Sequence, residues 1–410
     1  MDVTRRTVIL GIPAVLWGCS VAPNVGGPAP QVAFPVVPNA DFDVWVAGFK
    51  PRAEARGISA TVVDSAFRSV GYLPGVIEKD RSQTEFARSL QDYLAITASE
   101  ARIAMGAQVL QQYAGLFSAI EAKYGVEKQV IAAVWGVESF YGTRRGTVPV
   151  ISALSTLAFE GRRGAFFEGQ LVAALKILQN GDVSAGAMTG SWAGAMGHTQ
   201  FIPTSYLAYA VDFNGDGRRD IWSDDPADSL ASTASYLAKS GWSFGQPWGV
   251  EVRLPSGFDI GLSGKSTART TSEWGSLGVT AANGGRLEDH GAGSVIMPAG
   301  AAGPAFLIYH NFGVIGRYNN ADDYIIGVGH LSDRLAGGGP LVASFPPDSN
   351  GMRIADRVRL QERLTALGFD TGGTDGVLGP KTAAAISNYQ ASRGMSVTGA
   401  ATLDLLSALG

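Results

Sequence analysis

The feature that most constrains the fold is a long helical periodicity in the first half of the chain. Between Phe42 and about Trp242, apolar residues recur at spacings of three and four, which is the period of one helix face. Glycine and proline interrupt this pattern at 57, 71–74, 125, 181 and 241. The pattern predicts helices over 58–70, 83–97, 100–124, 127–137, 166–179 and 230–240. We therefore expect a mainly α fold.

The character of the sequence changes after about residue 244. Short runs such as 250–254 and 305–309 alternate with Gly, Ser and Pro, which predicts a small β-rich subdomain over about 244–314. A helix is expected over about 320–335. Residues 336–352 are rich in Gly and Pro, which predicts a linker. A compact tail domain is expected over 353–410, so the chain holds two or three domains.

Composition excludes several classes of protein. Hydrophobic residues make up 46% of the 410 residues and charged residues 17%, which is compatible with a sizeable core and not with general disorder. The net charge is −4, without the basic excess that a nucleic-acid partner requires. A neutral substrate bound by hydrogen bonds and stacking fits this balance better.

The N-terminus has the pattern of an export signal. Arg5 and Arg6 precede an apolar run over 8–17 that is too short to be a permanent membrane span. The following Leu16-Trp17-Gly18-Cys19 resembles a lipobox, although Trp17 is an unusual occupant. We expect a lipoprotein signal peptide over 1–19, lipidation of Cys19 and a linker over 20–41. A free thiol after an ordinary signal peptide is the alternative, and the twin-arginine and general secretory routes both remain open.

Glu138 is the first candidate for chemistry. On a helix it shares one face with Ile131, Val134 and Trp135, because these precede it by seven, four and three residues. Burial among apolar residues should raise the pKa of its carboxyl group, as a general acid requires. From this segment alone, a structural carboxylate paired with Arg144 or Arg145 is the alternative reading, and nothing within the segment excludes it.

Five stretches in the same order resemble the membrane-bound lytic transglycosylase B family. The resemblance covers about 42–335 and implies a lysozyme-like helical fold there. His198 and Thr199 depart from it, because a less bulky pair is expected before Gln200. The stretches are Trp135-Gly136-Val137-Glu138-Ser139 with Tyr141-Gly142; 154–159 with Arg162-Arg163 and Phe166-Phe167; 190–197 with 200–206; 209–213; and Arg317-Tyr318-Asn319.

The resemblance implies one acid rather than two. Glu138 would protonate the leaving oxygen of the bond from N-acetylmuramic acid to N-acetylglucosamine. The same carboxylate would then take the proton of the muramoyl C6 hydroxyl, which closes onto C1 as a 1,6-anhydro end without consuming water. A hydrolytic muramidase on this fold would need a second carboxylate, and Glu160 and Glu168 could equally be surface residues. A non-catalytic wall-binding lipoprotein is a third reading.

Substrate-binding roles are implied only at matching positions. Ser191 should hydrogen-bond the acid, or else cap a helix over 193–196. Gln200 should reach the sugar or its N-acetyl group. Arg162 and Arg163 should meet stem-peptide carboxylates, or else form a solvated pair. Three further residues should line the site, Tyr318 and Asn319 (alternatively a turn packed on the core) and, less firmly, Tyr236.

Residues 212–220 match the first nine positions of a calcium loop. Oxygen ligands would come from Asp212, Asn214, Asp216 and the Arg218 carbonyl, and Asp220 would act through water. Position twelve is Ser223, so Asp224, Asp225 or Asp228 must close the shell, and the family's elongated loop favours Asp228. An acidic turn without metal is the alternative. Calcium would be structural, and no cofactor is expected for the chemistry.

The tail resembles a small three-helix peptidoglycan-binding domain. Its motifs include Leu367-Gly368-Phe369, Asp375-Gly376 and Tyr389-Gln390; a generic helical bundle is the alternative. Such a domain would raise the local enzyme concentration at the polymer.

We therefore expect glycan strands of peptidoglycan as the partner and the periplasm as the location, with a lipid anchor for which the outer membrane is favoured. The sequence names no protein partner.

Overall fold

A computed structural model describes residues 34–82 and 88–410, so Cys19 and the export signal lie outside the described residues. Over the described part the chain is mainly helical with small sheets, which confirms the predicted fold class. None of the helices in these ranges is long and apolar enough to cross a membrane. The helices are α1 (Ala40–Ala55), α2 (Ala60–Ala66), α3 (Pro74–Ser82), α4 (Leu90–Thr97), α5 (Glu100–Gln112), α6 (Ala114–Tyr124), α7 (Lys128–Ser139), α8 (Val150–Glu160), α9 (Gly164–Asn180), α10 (Pro203–Tyr209), α11 (Ala227–Lys239), α12 (Thr271–Ser276), α13 (His310–Tyr318), α14 (Asp322–Leu335), α15 (Ile354–Ala366), α16 (Pro380–Ser392) and α17 (Leu403–Ala408).

The chain divides into two compact units. We call the described residues 34–82 and 101–245 the helical unit, and 88–100 with 246–410 the mixed unit. The body that the sequence predicts over 42–335 is thus shared between both units, and the tail domain falls in the mixed unit.

The helical unit has α7 at its centre. Nine of the twelve residues of α7 are buried, as expected of a helix that is apolar on most of its faces. Helices α8 and α11 are also largely buried, whereas α9 buries only one face. The predicted single helix over 100–124 is wrong, because the chain breaks at Tyr113 into α5 and α6. A short antiparallel pair, β1 (Val148–Pro149) with β2 (Thr189–Gly190), joins distant parts of this unit.

The mixed unit contains the β-rich region that the sequence predicts after residue 244. Its sheet is antiparallel, in the order β4-β6-β7-β3-β5. The side chain of Trp274 is fully buried beneath it and donates a hydrogen bond from Nε1 to the Gly293 carbonyl at 2.8 Å. The strands are β3 (Gly249–Arg253), β4 (Ala268–Arg269), β5 (Thr280–Ala281), β6 (Gly293–Ile296) and β7 (Ala305–Ile308).

The tail consists of α15, α16 and α17 around a core of its own. Met352, which the sequence pattern assigns to the linker, is fully buried in this core, so the folded tail begins before residue 353. The segment before the tail, over 336–351, connects the two regions and also makes hydrogen bonds to the sheet. The Glu251 carboxylate on β3 accepts hydrogen bonds from the backbone N–H groups of Val342 and Ala343 at 2.8 and 2.7 Å.

Candidate active site

Glu138 lies in the last turn of α7 and is half-buried. The three residues that share its helix face, Ile131, Val134 and Trp135, are buried, as the helical period requires. The helix then ends in left-handed backbone, with φ of 49° at Phe140 and 56° at Tyr141. Non-glycine residues with positive φ are uncommon, and they concentrate where the surrounding structure constrains the chain.

The residues around Glu138 hold this helix end in place. The ring of Tyr141 folds back on Gly136, where an added Cβ would lie 2.6 Å from the Tyr141 Cζ. The Ser139 hydroxyl accepts a hydrogen bond from the backbone N–H of Gly142 at 2.9 Å. Burial raises the pKa of Tyr141, so its phenol stays neutral. Most of the motif around the acid therefore acts by fixing the backbone that carries it.

Ser191 and Gln200 reach the loop that follows Glu138. The pairing of β1 with β2 brings Ser191 beside Gly146, where an added Cβ would lie 2.7 Å from the Ser191 backbone N. Gln200 Nε2 donates to the Arg145 carbonyl at 3.0 Å and to the Gly197 carbonyl at 2.9 Å. Gln200 also has a positive φ, 55°. Two of the predicted site residues thus meet one loop, over 142–147.

The hydroxyl of Ser191 has a structural role in addition to any contact with substrate. Its Oγ accepts hydrogen bonds from the N–H groups of Ala193 and Ala195 at 3.3 and 3.0 Å. The capping alternative is therefore present in part, although 193–196 forms a turn and not the helix that this alternative assumed. A serine hydroxyl that accepts two hydrogen bonds still has its own proton to donate.

Arg162 and Arg163 share one buried partner. Arg162 Nε and Arg163 Nη2 each donate to the Asp80 carboxylate at 2.8 Å. Two guanidinium groups on one carboxylate leave a net positive charge, and both side chains remain partly exposed. The alternative of a solvated arginine pair is therefore incomplete, because Asp80 holds both side chains in place. The sequence did not indicate this partner.

The remaining predicted aromatic and amide residues are mostly buried. Tyr236 on α11 lies with its ring 4.2 Å from that of Tyr209 and is 8% exposed. Tyr318 and Asn319 end α13 in the mixed unit, where Asn319 Oδ1 accepts from the Ala321 N–H at 3.0 Å, so the turn alternative is present here.

The other acids considered for hydrolysis are committed to structural pairs. Glu160 accepts from the Tyr72 hydroxyl at 2.7 Å and lies 3.3 Å from the Arg81 guanidinium. Glu168 lies 3.0 and 3.1 Å from the guanidinium groups of Arg52 and Arg56. A carboxylate held in this way is poorly placed to act as a nucleophile or to direct water.

The two arginines that could have paired with Glu138 have other contacts. Arg144 lies over the ring of Phe140, with its Cζ 5.0 Å from the ring centroid. Arg145 donates to the carbonyls of Trp222 and Ser223 at 2.9 and 2.6 Å and forms an ion pair with Asp224 at 2.6 Å.

A pocket of about 250 Å³ opens beside the 142–147 loop. Its lining is mainly polar and includes Thr143, Arg144, Thr147 and Thr189, with Trp222 as its aromatic member. Hydroxyl and guanidinium donors beside an indole suit a sugar or its carboxylate-bearing substituents.

His198 is the site residue that sequence reasoning undervalued. The sequence marked it only as bulkier than expected, whereas its ring is 4% exposed and contacts both α7 and the segment over 221–224. Its unusual size before Gln200 was the available signal.

The acidic loop over 212–220 is folded around its first carboxylate. Asp212 accepts hydrogen bonds from the N–H groups of Gly215, Asp216 and Gly217 at 2.7, 3.2 and 2.9 Å. These three hydrogen bonds turn the chain sharply around the Asp212 carboxylate.

Asp228 closes the loop from α11. Its two carboxylate oxygens accept from the N–H groups of Phe213 and Asp220, both at 2.8 Å. Burial raises the pKa of Asp228, and the adjacent charge of Asp212 adds to this, while the backbone hydrogen bonds act in the opposite direction. Among the described residues no three acidic, His or Cys side chains form a ready metal cluster. A cation here would need the Asn214 amide and the Arg218 carbonyl as well.

The chain is similar to known proteins over most of its length. Residues 41–333, more than half of the chain, match the family described as transglycosylase SLT domain. The chain belongs to this family. Residues 353–409 match the peptidoglycan binding domain.

Three members of the transglycosylase family indicate how far the similarity extends. The membrane-bound lytic murein transglycosylase B of Escherichia coli K12 is 33% identical over 220 residues, which are 52% of this chain and 58% of that protein. The chain thus spans little more than half of this curated relative. SltB3 of Pseudomonas aeruginosa, solved with NAG-NAM-pentapeptide, is 46% identical with a TM-score of 0.74, over 91% of this chain and 100% of that one. SltB3 is also solved with NAG-anhNAM-pentapeptide.

The E. coli lytic transglycosylase Slt35 has been solved in complex with calcium. It is 26% identical, with a TM-score of 0.61, over 73% of this chain and 93% of that one. The lysozyme-like helical fold that the sequence resemblance implies is confirmed by these structures.

Proposed function

We propose that this protein is a lytic transglycosylase that cleaves the bond between N-acetylmuramic acid and N-acetylglucosamine in peptidoglycan, for remodelling or turnover of the cell wall. The observation that carries the proposal is a half-buried Glu138 at a fixed helix end, in a chain that belongs to the transglycosylase SLT domain family. The SltB3 complexes support it, because their ligands include both NAM and anhNAM forms.

In this mechanism one carboxyl group serves twice. Protonated Glu138 gives its proton to the leaving glycosidic oxygen, and the resulting carboxylate takes the proton of the muramoyl C6 hydroxyl as that oxygen closes onto C1. Ser191 donates its hydroxyl proton to the Glu138 carboxylate, and Gln200 contacts the N-acetyl sugar. The net positive charge of Arg162 and Arg163 meets stem-peptide carboxylates. Tyr318 and Asn319 contribute to substrate binding, with a smaller role for Tyr236.

The product decides between cleavage with and without water. We expect digests of purified sacculi to contain mainly anhydro-muropeptides, each lighter by one water than the hydrolytic product. The reason is that Glu160 and Glu168 are held by Tyr72, Arg52 and Arg56 and are not available to direct water. Mass spectrometry measures the ratio. Reducing muramic-acid ends as the main product would favour a hydrolytic muramidase instead.

We also propose that Cys19 carries a lipid that holds the enzyme in the periplasm, with the outer membrane favoured. The lipobox pattern before Cys19 supports lipidation, and the similarity to a membrane-bound transglycosylase supports a membrane location.

The acidic loop is proposed as a structural calcium site. Asp212, Asn214, Asp216, the Arg218 carbonyl and Asp228 would hold the ion, because they supply oxygen donors at the spacing of a calcium loop. The backbone hydrogen bonds of Asp212 and Asp228 support this fit, since they already give the loop its turn. Calcium bound here would neutralise charge among the carboxylates and would take no part in proton transfer.

Calcium should raise the melting temperature of the protein, because it binds the folded state preferentially. The stabilisation should reach about 2.7 kcal/mol at a calcium concentration 100 times the Kd. Differential scanning fluorimetry with calcium or chelator measures it. The double variant Asp212→Ala, Asp216→Ala should lose the response, whereas the exposed Asp64→Asn should keep it. A wild type that melts identically under both conditions would contradict the metal assignment.

The tail is proposed to bind the polymer, and its loss should reduce activity on sacculi. A chain ending at Leu335 should bind sacculi less tightly and cleave them more slowly, because the second attachment point is gone. It should keep its rate on short soluble glycans. The isolated tail should start near Asp348, so that Met352 is retained in its core, and should sediment with sacculi without cleaving them. An unchanged rate of the shortened enzyme on sacculi would contradict this role.

A further inference from the structure

We propose that His198 is a positioning residue for the reaction, which ties the end of the catalytic helix to the segment over 221–224. This inference rests on the proposed role of Glu138. His198 is also one of the two residues before Gln200 that depart from the family pattern, because a less bulky pair is expected there.

One side of the His198 imidazole contacts α7, the helix that carries Glu138. Trp135 Nε1 donates a hydrogen bond to His198 Nδ1 at 3.1 Å, and the two rings meet edge to face with centroids 5.6 Å apart. Trp135 precedes Glu138 by three residues on the same helix face. At Gly142 an added Cβ would lie 2.4 Å from His198 Nδ1, so the ring fills the space that this glycine leaves.

The other side of the imidazole contacts the segment over 221–224, which follows the acidic loop. His198 Nε2 lies 2.8 Å from the Ser223 carbonyl, and the backbone N–H of His198 donates to the Ile221 carbonyl at 3.2 Å. Because Nδ1 accepts from Trp135, the proton of a neutral ring is on Nε2 and is donated to Ser223. Arg145 Nη1 lies 3.2 Å from His198 Nε2 and donates to the same Ser223 carbonyl at 2.6 Å, so the guanidinium and the imidazole share this acceptor.

The charges around the ring favour this neutral, polar arrangement. Burial is the main effect that lowers the pKa of His198, and Arg145 lowers it further; the Ser223 carbonyl and the carboxylates of Asp224 and Asp220 act in the opposite direction. A neutral imidazole with one acceptor and one donor can join Trp135 to Ser223 in only one orientation. The contacts on both sides of the ring therefore give His198 a positioning role.

Three substitutions separate the two halves of this link. His198→Asn places Oδ1 where Nδ1 was, so it keeps the acceptor for Trp135 and loses the donor to Ser223. His198→Gln places its amide where Nε2 was and keeps only the Ser223 side. His198→Ala loses both. We expect kcat on a soluble glycan to fall about 10-fold for Asn and Gln and about 100-fold for Ala, with KM within threefold of wild type, because a small displacement of the acid slows the reaction without weakening binding.

The second readout does not depend on activity. The indole N–H signal of Trp135 in a ¹⁵N spectrum, identified by its loss in Trp135→Phe, should stay in place in His198→Asn and shift in His198→Gln and His198→Ala. The matched control is His330→Ala, since His330 is also a buried imidazole, on α14, with a pKa lowered to about 4 mainly by burial. It should lower the melting temperature and leave kcat unchanged.

The inference is overturned if His198→Ala keeps kcat within twofold of wild type, if His330→Ala loses as much kcat, or if the change appears in KM alone. A Trp135 signal that does not move in His198→Ala would overturn it as well. Failure of the proposed transglycosylase function is a separate result, because it would appear as reducing ends in the wild-type digest, and the kcat comparison among the variants would still stand.

Discussion

Glu138→Gln should lower kcat about 1,000-fold, because an amide cannot give a proton to the leaving oxygen or take one from the C6 hydroxyl. The side chain keeps its shape, so the melting temperature should change by little. The measurement is the rate of anhydro-muropeptide release from sacculi, together with thermal unfolding of the same preparation.

The control for this variant is Glu168→Gln. It removes a carboxylate of the same helical unit that is held by Arg52 and Arg56. We expect a modest loss of stability, since such partly exposed ion pairs contribute little, and no loss of kcat. Substantial turnover by Glu138→Gln, or an equal loss in the control, would mean that another acid carries the chemistry.

Gly146→Ala should destabilise the protein by about 3 kcal/mol. Gly146 has a φ of 84°, which is unfavourable for residues with a side chain. An added Cβ would lie 2.3 Å from the Gly190 carbonyl oxygen, which is backbone and cannot turn aside. Denaturant unfolding followed by tryptophan fluorescence measures the loss, and kcat should fall with it because Ser191 lies at the same crossing.

Gly115→Ala makes the matching comparison in the same unit. Gly115 lies in α6 with no atom within 4 Å of the added Cβ. Alanine is the better residue in a helix by about 0.5–1 kcal/mol, so this variant should be neutral or slightly stabilised. If Gly146→Ala and Gly115→Ala have the same free energy of unfolding, the close approach of Gly146 to Gly190 does not make the glycine necessary for stability.

These expectations share one structural reason. The acid is a single side chain, but the backbone that carries it is fixed by contacts from four other parts of the helical unit. They come from Tyr141, from the β1–β2 pair, from His198 and from Gln200, which donates a hydrogen bond to the Arg145 carbonyl. Substitutions at these supports should therefore slow the reaction even though none of them exchanges a proton with the substrate.

The sequence by itself determined what depends on local periodicity. A period of 3.6 residues places Ile131, Val134, Trp135 and Glu138 on one face whatever the rest of the chain does, so the buried face of this helix and the place of Glu138 on it could be predicted. The change to short β-prone runs after residue 244 was equally local. The turn chemistry of 212–220 also follows from spacing, because aspartate and glycine at fixed offsets produce it.

Only the tertiary structure decided which polar groups meet. Arg145 had a choice of acceptors and pairs with Asp224, 79 residues later, and Arg162 pairs with Asp80, 82 residues earlier. Nothing in the spacing selects these partners, because an arginine can reach any carboxylate that the fold brings within a few ångströms. Trp135 and His198 are 63 residues apart for the same reason. Met352 joins the tail core because the buried volume there is closed by long-range packing, which a local Gly- and Pro-rich composition does not reveal.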